Sequence, residues 1–523
     1  MGIPSFYRHL VKLNPTLIKK KSDLDKTSVL ALDFNCAIYH CLSLLQKKTP
    51  YEASKRIEFE DELIRSAIKY IVKLRDHVQP TDLLYVAIDG VVPMAKIRQQ
   101  RMRRFKSVWV AKEEGAIKGE VGVGWDRNAI TPGTDFMNRL CQRIEVWAAG
   151  CVGGPKVVIS GVNESGEGEQ KIMAYLRAHE PRGTVVVYGL DADLIVLCLW
   201  HHQRYGWTFK LLREEVEMKG GVKLNTFGEE ILLYFDIDQL ATIIKQKWPV
   251  ALEDYVGAMS FLGNDFVPHG LTLCIREDGI DRLMEILVKT GRRLVVESDS
   301  GGWVYDPETM KALIAGVATR ENKWITEGVF KKLKMSAHGR PSQEVVSDVD
   351  KALNIMNSLP LTWKVERCMA SRTEDGWILN EDWKAKYYEE FLWAAEPGSA
   401  VKEWLHGIQW ILNYYTGGPV DMLWYYPWYL PPLFQDISAG ALEGKRVIKA
   451  GPNPITPIAQ LIMVLPVESY ALLPRGLRRM PIVKPEFYPT KWGFFSAGRR
   501  QLWECEPMIP MLPFGFVKKL LRI

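Results

Sequence analysis

Cysteine is scarce and scattered in this 523-residue sequence, and no two cysteines form a C-x-x-C pair. Because zinc sites and disulfide frameworks show regular cysteine spacing, this pattern argues against both. It favours a reducing compartment, so we expect an intracellular protein of the cytoplasm or nucleus, with the cytoplasm preferred. The eight cysteines are Cys36, Cys41, Cys141, Cys151, Cys198, Cys274, Cys368 and Cys505.

Long apolar segments are also missing. No stretch reaches the ~18 apolar residues that a membrane-spanning helix needs, so we expect no membrane partner. Residues 1–15 contain no uninterrupted apolar segment of the kind found in secretory signals. Phe6 stands where an N-myristoylation motif requires Ser or Thr. We find no internal repeat and no long low-complexity run.

The composition that remains is that of a globular protein. The chain is 47% hydrophobic and 25% charged, which excludes disordered, collagenous and fibrous classes. Its 18 Trp and 20 Tyr suit large cores and stacking surfaces. The net charge of +6 permits a polyanionic partner without identifying one. The length predicts more than one domain.

Short apolar runs alternate with helical stretches as far as about residue 295. The runs cover residues 29–32, 83–88, 157–159 and 185–188, and helix-like segments cover 59–78 and 134–148. This alternation predicts an α/β fold with a mostly parallel central sheet and helices on both faces. Polar residues 334–350 look like a linker, and Trp/Tyr/Pro-rich segments follow from about residue 355. We therefore expect a large domain (1–300), a variable linker region (301–355) and a smaller, mainly helical segment packed around the first domain (356–523).

Acidic residues follow several of the predicted strands. Ligands of open α/β sheets bind outside the carboxyl ends of the strands, so acids from separate strands should converge there. Two E-x-E or D-x-D pairs belong to the set, and Asp265 follows an apolar run in a G-N-D triplet. The candidates are Asp33, Asp89, Glu167, Glu169, Asp191, Asp193 and Asp265.

Carboxylates crowded into one crevice repel one another unless cations neutralise them. Oxygen-only ligands suit Mg²⁺ or Mn²⁺, and two such ions can clamp a phosphodiester for attack by water. For any one of these acids, a helix cap or a turn residue is the simpler explanation. The whole set favours a site for two metal ions.

A basic segment, K-I-R-Q-Q-R-M-R-R, begins seven residues after Asp89 and is predicted to be helical. Its Lys96, Gln100, Arg103 and Arg104 fall within an arc about 100° wide on one helix face. Arg offers paired donors to phosphate and Lys a point charge, so this face is a candidate phosphate site. The alternative is a solvated basic face.

Several motifs occur together along the chain. The first region holds residues 1–7, 33–35, 88–96, 99–104, 130–137, 166–169, 188–194 and 263–269, and the second holds 407–410, 424–427, 459–461, 464–466 and 487–489. In order and content they resemble the XRN family of 5′→3′ exoribonucleases over most of the chain. The strongest block is I-D-G-V-V-P-M-A-K, which runs into Q-Q-R-M-R-R.

The resemblance implies a PIN/flap-nuclease-like fold and a processive hydrolase of RNA decay that degrades single-stranded RNA from a 5′-monophosphate end. All seven acids match the family's metal-binding catalytic positions. Lys96, Gln100, Arg103 and Arg104 match its 5′-phosphate pocket. The second region is expected to narrow the entrance, so that only single strands enter and their bases stack.

Some positions depart from the family pattern. Tyr39, followed by His40, stands where the family has a stacking histidine, and Gln170 replaces a histidine after the E-G-E motif. Trp424 is the candidate opposing aromatic, with a core position as the alternative. The chain ends at Ile523, so we expect a minimal catalytic core without C-terminal extensions. A virus and a unicellular eukaryote are both compatible sources of such a core.

Three functions are compatible with these features. The first is the exoribonuclease, expected to be a monomer with unknown protein partners. The second is a non-catalytic RNA-binding or virion-associated protein that keeps the fold, against which the intact acids argue. The third is a flap-type DNA nuclease, which shares the acids but lacks a segment like residues 424–429.

Overall fold

The computed structural model describes residues 3, 5–24, 26–119, 124–215, 222–224, 229–271, 273–299, 301–337, 347–393, 397–439 and 451–522. Three residues of the predicted N-terminal motif (1, 2 and 4) and residues 338–346 of the predicted linker lie outside these ranges.

A mixed sheet of seven strands forms the centre of the described part of the chain, in the order β1-β7-β6-β5-β2-β3-β4. The five strands from β4 to β6 in this order are parallel, whereas β7 and β1 add antiparallel strands at one edge. All four predicted strands are present, and the predicted mostly parallel sheet is confirmed. The strands are β1 (Ile18–Lys19), β2 (Thr27–Asp33), β3 (Leu83–Ala87), β4 (Lys156–Ser160), β5 (Thr184–Tyr188), β6 (Thr208–Glu214), β7 (Leu232–Asp236), β8 (Val295–Glu297), β9 (Trp303–Tyr305), β10 (Ala370–Thr373), β11 (Gly376–Leu379), β12 (Phe494–Phe495) and β13 (Glu506–Pro507).

Helices cover the sheet and build the second half of the chain. They are α1 (Phe6–Leu13), α2 (Asn35–Lys48), α3 (Arg56–Val78), α4 (Met94–Lys118), α5 (Asp135–Ala149), α6 (Gly168–His179), α7 (Asp193–Tyr205), α8 (Ile237–Lys247), α9 (Leu252–Met259), α10 (Gly279–Thr290), α11 (Pro307–Ala337), α12 (Asp348–Asn357), α13 (Leu359–Trp363), α14 (Trp383–Tyr387), α15 (Pro397–Thr416), α16 (Phe434–Ala439), α17 (Pro457–Val464), α18 (Met480–Val483) and α19 (Phe514–Leu521). None of the helices in the described ranges is long and apolar enough to span a bilayer.

The central strands are buried on both faces, as expected for a sheet covered by helices on each side. Leu32 on β2 is level with Val86 on β3 and with Tyr188 on β5. The carboxyl ends of these three strands therefore lie side by side. The residues that follow them share one edge of the sheet.

The region predicted as a linker is largely helical where it is described. Helix α11 occupies 31 residues of it, and residues 334–337 form its last turn. Leu313, Ile314 and Val317 are fully buried, which shows that α11 packs into the core. The polar composition of residues 334–350 did not indicate the helix, because the apolar face of α11 lies before these residues.

The second half of the chain packs around α4. Arg101, which is fully buried, donates to the carbonyl oxygens of Met463 at 2.8 Å, Pro510 at 3.0 Å and Phe487. Apolar residues of α4 and α17 share one core cluster. One arginine of the basic segment therefore joins the two halves of the chain and does not face the site.

Candidate active site

Asp33 and Asp89 lie at the carboxyl edge of the sheet, where β2 and β3 end. The amide of Gly168, the first residue of α6, donates to Asp89 Oδ1 at 2.8 Å. A Cβ at Gly168 would lie 2.5 Å from Asp33 Oδ1. The glycine of the E-G-E motif is thus needed because the start of α6 lies directly against both carboxylates.

Glu169, Asp191 and Asp193 form the tightest part of the acidic cluster. One carboxylate oxygen of each lies within 4.8 Å of the others, a spacing that could hold a metal ion. Glu169 and Asp193 are 3% and 1% exposed. Glu169 Oε1 and both Asp193 oxygens have no hydrogen-bond partner within the described residues. Buried, unpartnered carboxylate oxygens are a fit for a divalent cation, since burial without a partner is costly.

Burial and mutual repulsion raise the pKa values of these acids. Burial, then the charges of Asp89 and Asp191, raises the pKa of Asp33 well above its usual value. Burial, then Asp193, does the same for the pKa of Glu169. Burial, then Asp191, raises the pKa of Asp193 to about 7. The cluster therefore holds more negative charge than its protein surroundings balance.

Glu167 and Asp265 lie beside Lys96, which the sequence placed in the phosphate pocket. The Lys96 ammonium is 2.5 Å from Glu167 Oε2 and 2.9 Å from Asp265 Oδ2. With 6% of its side chain exposed, Lys96 acts as an internal counter-ion for two of the predicted metal ligands.

The four predicted phosphate-binding residues do line a cavity of about 130 Å³ together with Asp33, Asp89, Glu167, Glu169 and Asp191. Arg104 donates to Asn128 Oδ1 at 3.1 Å, and the Gln100 side-chain oxygen accepts from Gln460 at 3.4 Å. The half-buried Arg103 guanidinium makes no hydrogen bond within the described residues. Of the four residues, Arg103 is thus the cation that protein groups engage least.

Two of the three predicted stacking residues lie away from this cavity. Tyr39 lines it and is 37% exposed. The His40 ring nitrogen Nε2 is 2.6 Å from Glu230, and its side chain is 8% exposed. Trp424 is 8% exposed, donates to Glu403 at 2.9 Å and packs 5.5 Å from Trp410. The burial of Trp424 against Trp410 favours its alternative as a core residue, and base stacking by His40 and Trp424 stays a prediction.

Several residues that support the site were not predicted. Asn35 both donates to Asp89 Oδ2 at 2.9 Å and accepts from its amide, so the D-F-N motif was an available signal. Lys171 donates to the carbonyls of Ile88 and Gly161, which holds the chain just before Asp89. Gln460 accepts from the Val92 amide at 3.0 Å. Gln460 lies in a motif block of the second region, but no role could be assigned to it from the sequence, because its partners lie more than 350 residues away.

The fold and the site define an α/β protein with a carboxylate cluster and a basic helix at the carboxyl edge of its sheet. The model of the XRN 5′-3′ exonuclease N-terminus matches residues 1–215, and that of the Xrn1 helical domain matches residues 247–360 and 364–522. The chain therefore belongs to the XRN 5′-3′ exonuclease family. The helical-domain match crosses the predicted boundary at residue 300, and the three-part division of the chain stays a prediction.

Relatives with that description align with nearly the whole chain. Human 5′-3′ exoribonuclease 1 is 28% identical over 98% of this chain and 33% of its own length. The Drosophila melanogaster 5′-3′ exoribonuclease 2 homolog is 27% identical over 100% of this chain and 70% of its own length. The chain thus spans a third of the human relative. The catalytic core of Rad2 in complex with DNA substrate covers 72% of this chain at a TM-score of 0.33 and 13% identity, a likeness too distant to bear on function.

Proposed function

We propose that the protein is a 5′→3′ exoribonuclease. It hydrolyses single-stranded RNA processively from a 5′-monophosphate end and releases nucleoside 5′-monophosphates. The observation that carries the proposal is the shared cavity, in which buried carboxylates face Lys96, Gln100, Arg103 and Arg104. Family membership supports the same reaction, since the matched relatives are named 5′-3′ exoribonucleases.

The acids would hold two divalent cations, Mg²⁺ or Mn²⁺. The unpartnered oxygens of Glu169 and Asp193 support this assignment, and the other five acids complete the set. When bound, such cations generate a nucleophilic water and neutralise charge on the scissile phosphodiester. Asn35 and the Gly168 amide hold Asp89 in place for this purpose.

The basic face would bind the terminal phosphate. Arg103 has free donors, whereas Asn128 and Gln460 hold Arg104 and Gln100 in position. Lys96 turns from Glu167 and Asp265 toward the phosphate when an RNA end enters. Tyr39, at the exposed rim of the cavity, stacks on a base. The small cavity supports a preference for a monophosphate over a cap or triphosphate.

The test uses one 3′-labelled RNA with a 5′-monophosphate, a 5′-hydroxyl or a 5′-triphosphate, each with Mg²⁺ and with EDTA. We expect metal-dependent loss of the monophosphorylated RNA alone, without a ladder of intermediates. Equal loss of all three RNAs would show that the protein does not select its substrate by a 5′-phosphate pocket. Tight binding without loss would favour a non-catalytic RNA-binding protein, and cleavage of a DNA flap in preference to RNA would favour the flap-type nuclease.

Arg103→Ala should weaken the preference for 5′-monophosphate over 5′-hydroxyl RNA by roughly tenfold or more, since a charge-assisted phosphate contact is lost. Lys112→Ala, at an exposed position on the same helix, is the matched control and should leave the preference unchanged. The measurement is kcat/KM for the two RNAs. An unchanged ratio in Arg103→Ala would place the phosphate site elsewhere.

A further inference from the structure

Tyr414, in the last turn of α15, reaches the acidic cluster from the second half of the chain. Its hydroxyl donates to Glu167 Oε1 at 2.5 Å, and the residue is 7% exposed. The other oxygen of Glu167, Oε2, lies against Lys96. Both oxygens of this carboxylate therefore have defined partners, one from each half of the chain.

The Tyr414 ring is held by aromatic neighbours on two sides. It stacks on Trp410, one helical turn earlier, with ring centroids 4.9 Å apart and an interplanar angle of 15°. Phe266 lies edge-on at 5.1 Å from Tyr414 and 5.0 Å from Trp410. Trp410 is fixed in turn, since its indole nitrogen donates to the Asp421 carbonyl at 2.8 Å. The hydroxyl position is thus determined by packing.

The same aromatic group touches both acidic loops that Lys96 joins. Phe266 directly follows Asp265 in the chain, and Tyr414 bonds to Glu167. Packing of α15 therefore sets the position of two carboxylates, Glu167 and Asp265, that approach from different parts of the chain.

We propose that Tyr414 is a positioning residue for metal binding: its hydroxyl occupies Glu167 Oε1, so that Oε2, which Lys96 holds in the metal-free protein, is the oxygen that Glu167 offers to a divalent cation. This inference rests on the proposed metal site and extends it, because it makes the second half of the chain part of the metal-binding machinery. Hydrogen-bond partners of metal ligands orient the ligand, and their loss typically costs roughly 10- to 100-fold in metal affinity.

The test is Tyr414→Phe, which removes the hydroxyl and keeps the ring that stacks on Trp410. Tyr255→Phe is the matched control: Tyr255 is fully buried, its hydroxyl has no hydrogen-bond partner within the described residues, and it lies outside the acidic cluster. Calorimetry of Mn²⁺ binding to the RNA-free protein gives the affinity, and the Mg²⁺ dependence of RNA hydrolysis gives a second value. Thermal melts in EDTA report folding of each variant.

We expect Tyr414→Phe to weaken Mn²⁺ binding by roughly tenfold or more and to raise the Mg²⁺ concentration for half-maximal hydrolysis in parallel. Tyr255→Phe should stay within about twofold of the wild type. Equal metal affinity in the wild type and Tyr414→Phe would overturn the inference. If Tyr414→Phe has a lower melting temperature than the wild type, the substitution is repeated in a Glu167→Gln background. Loss of the hydroxyl should change the metal affinity of that background little. A decrease in metal affinity there as large as in the wild-type background would also overturn the inference.

Failure of the proposed function has a different outcome. If the wild type binds Mn²⁺ more tightly than Tyr414→Phe but degrades no RNA, the positioning role of Tyr414 is supported and the proposed exoribonuclease activity is excluded.

Discussion

Some of the buried carboxylates that are proposed to bind metal also lower the stability of the metal-free protein. Burial and Asp191 raise the pKa of Asp193 to about 7. The folded protein therefore keeps a proton that the unfolded chain releases near its ordinary pKa of 3.8. Stability from this group is fully present below about pH 4 and is lost as the pH rises through 7.

Asp193→Asn should abolish RNA hydrolysis and raise the melting temperature of the metal-free protein by a few degrees at pH 8, because it removes one of several buried like charges. Thermal melts in EDTA at pH 8 and pH 5 give the comparison, and the gain should shrink at the lower pH. Addition of Mg²⁺ should stabilise the wild type more than the variant.

Asp375→Asn, in an exposed turn, is the control for this substitution and should alter neither activity nor melting temperature. A melting temperature for Asp193→Asn below that of the wild type in EDTA would contradict the picture of an unbalanced acidic cluster.

Helices α6 and α7 both begin at the acidic cluster, and a buried histidine pairs them further along. His201 on α7 is fully buried; its Nδ1 lies 2.8 Å from the Leu197 carbonyl, and its Nε2 lies 2.9 Å from Arg177 on α6. Burial, opposed by the Leu197 carbonyl and assisted by Arg177, lowers the pKa of His201 to about 4. The ring is therefore neutral in the folded protein at neutral pH.

Because the pKa of His201 is lowered, the free energy of unfolding depends on pH. Between pH 6.5 and 4 the unfolded chain binds a proton that the folded protein does not, so stability falls as the pH falls. From pH 7 to pH 5 this group should cost about 2 kcal/mol of unfolding free energy. Denaturant titrations of the wild type and His201→Gln at both pH values isolate the effect, since other groups cancel in the difference.

His179→Gln is the control, since the Nδ1 of His179 is bonded at an exposed position. A His201→Gln variant that loses as much stability as the wild type between pH 7 and pH 5 would contradict a buried neutral histidine at this helix pair.

The sequence predicts which residues lie together where the geometry of a single helix or of paired strands determines it. Asp33 and Asp89 follow parallel strands whose ends are level, so their approach could be predicted. The basic arc of α4 follows from helical periodicity. The environments of His40 and Trp424 depend on tertiary partners, Glu230 and Trp410, which periodicity does not reveal. The same holds for Tyr414, whose partner Glu167 lies 247 residues away in the chain.

Across the chain, side chains of the second half hold residues that line the site cavity. Gln460 bonds to Val92 and to Gln100, on either side of the start of α4. Arg101 ties the same helix to three carbonyls of the second half, and Tyr414 reaches Glu167. We therefore propose that the acidic cluster and the basic helix face, held by the second half of the chain, form one site that acts on one RNA end.

The most direct test of that claim is the release of label from a single-stranded RNA that carries a labelled 5′-monophosphate, with wild type, Asp193→Asn and Arg103→Ala compared in Mg²⁺. We predict that the wild type releases the label at once as a nucleoside 5′-monophosphate. Asp193→Asn should bind the RNA without releasing the label, and Arg103→Ala should release it slowly. Release of the label in longer fragments, or equal rates for the three proteins, would contradict a single site at the 5′ end.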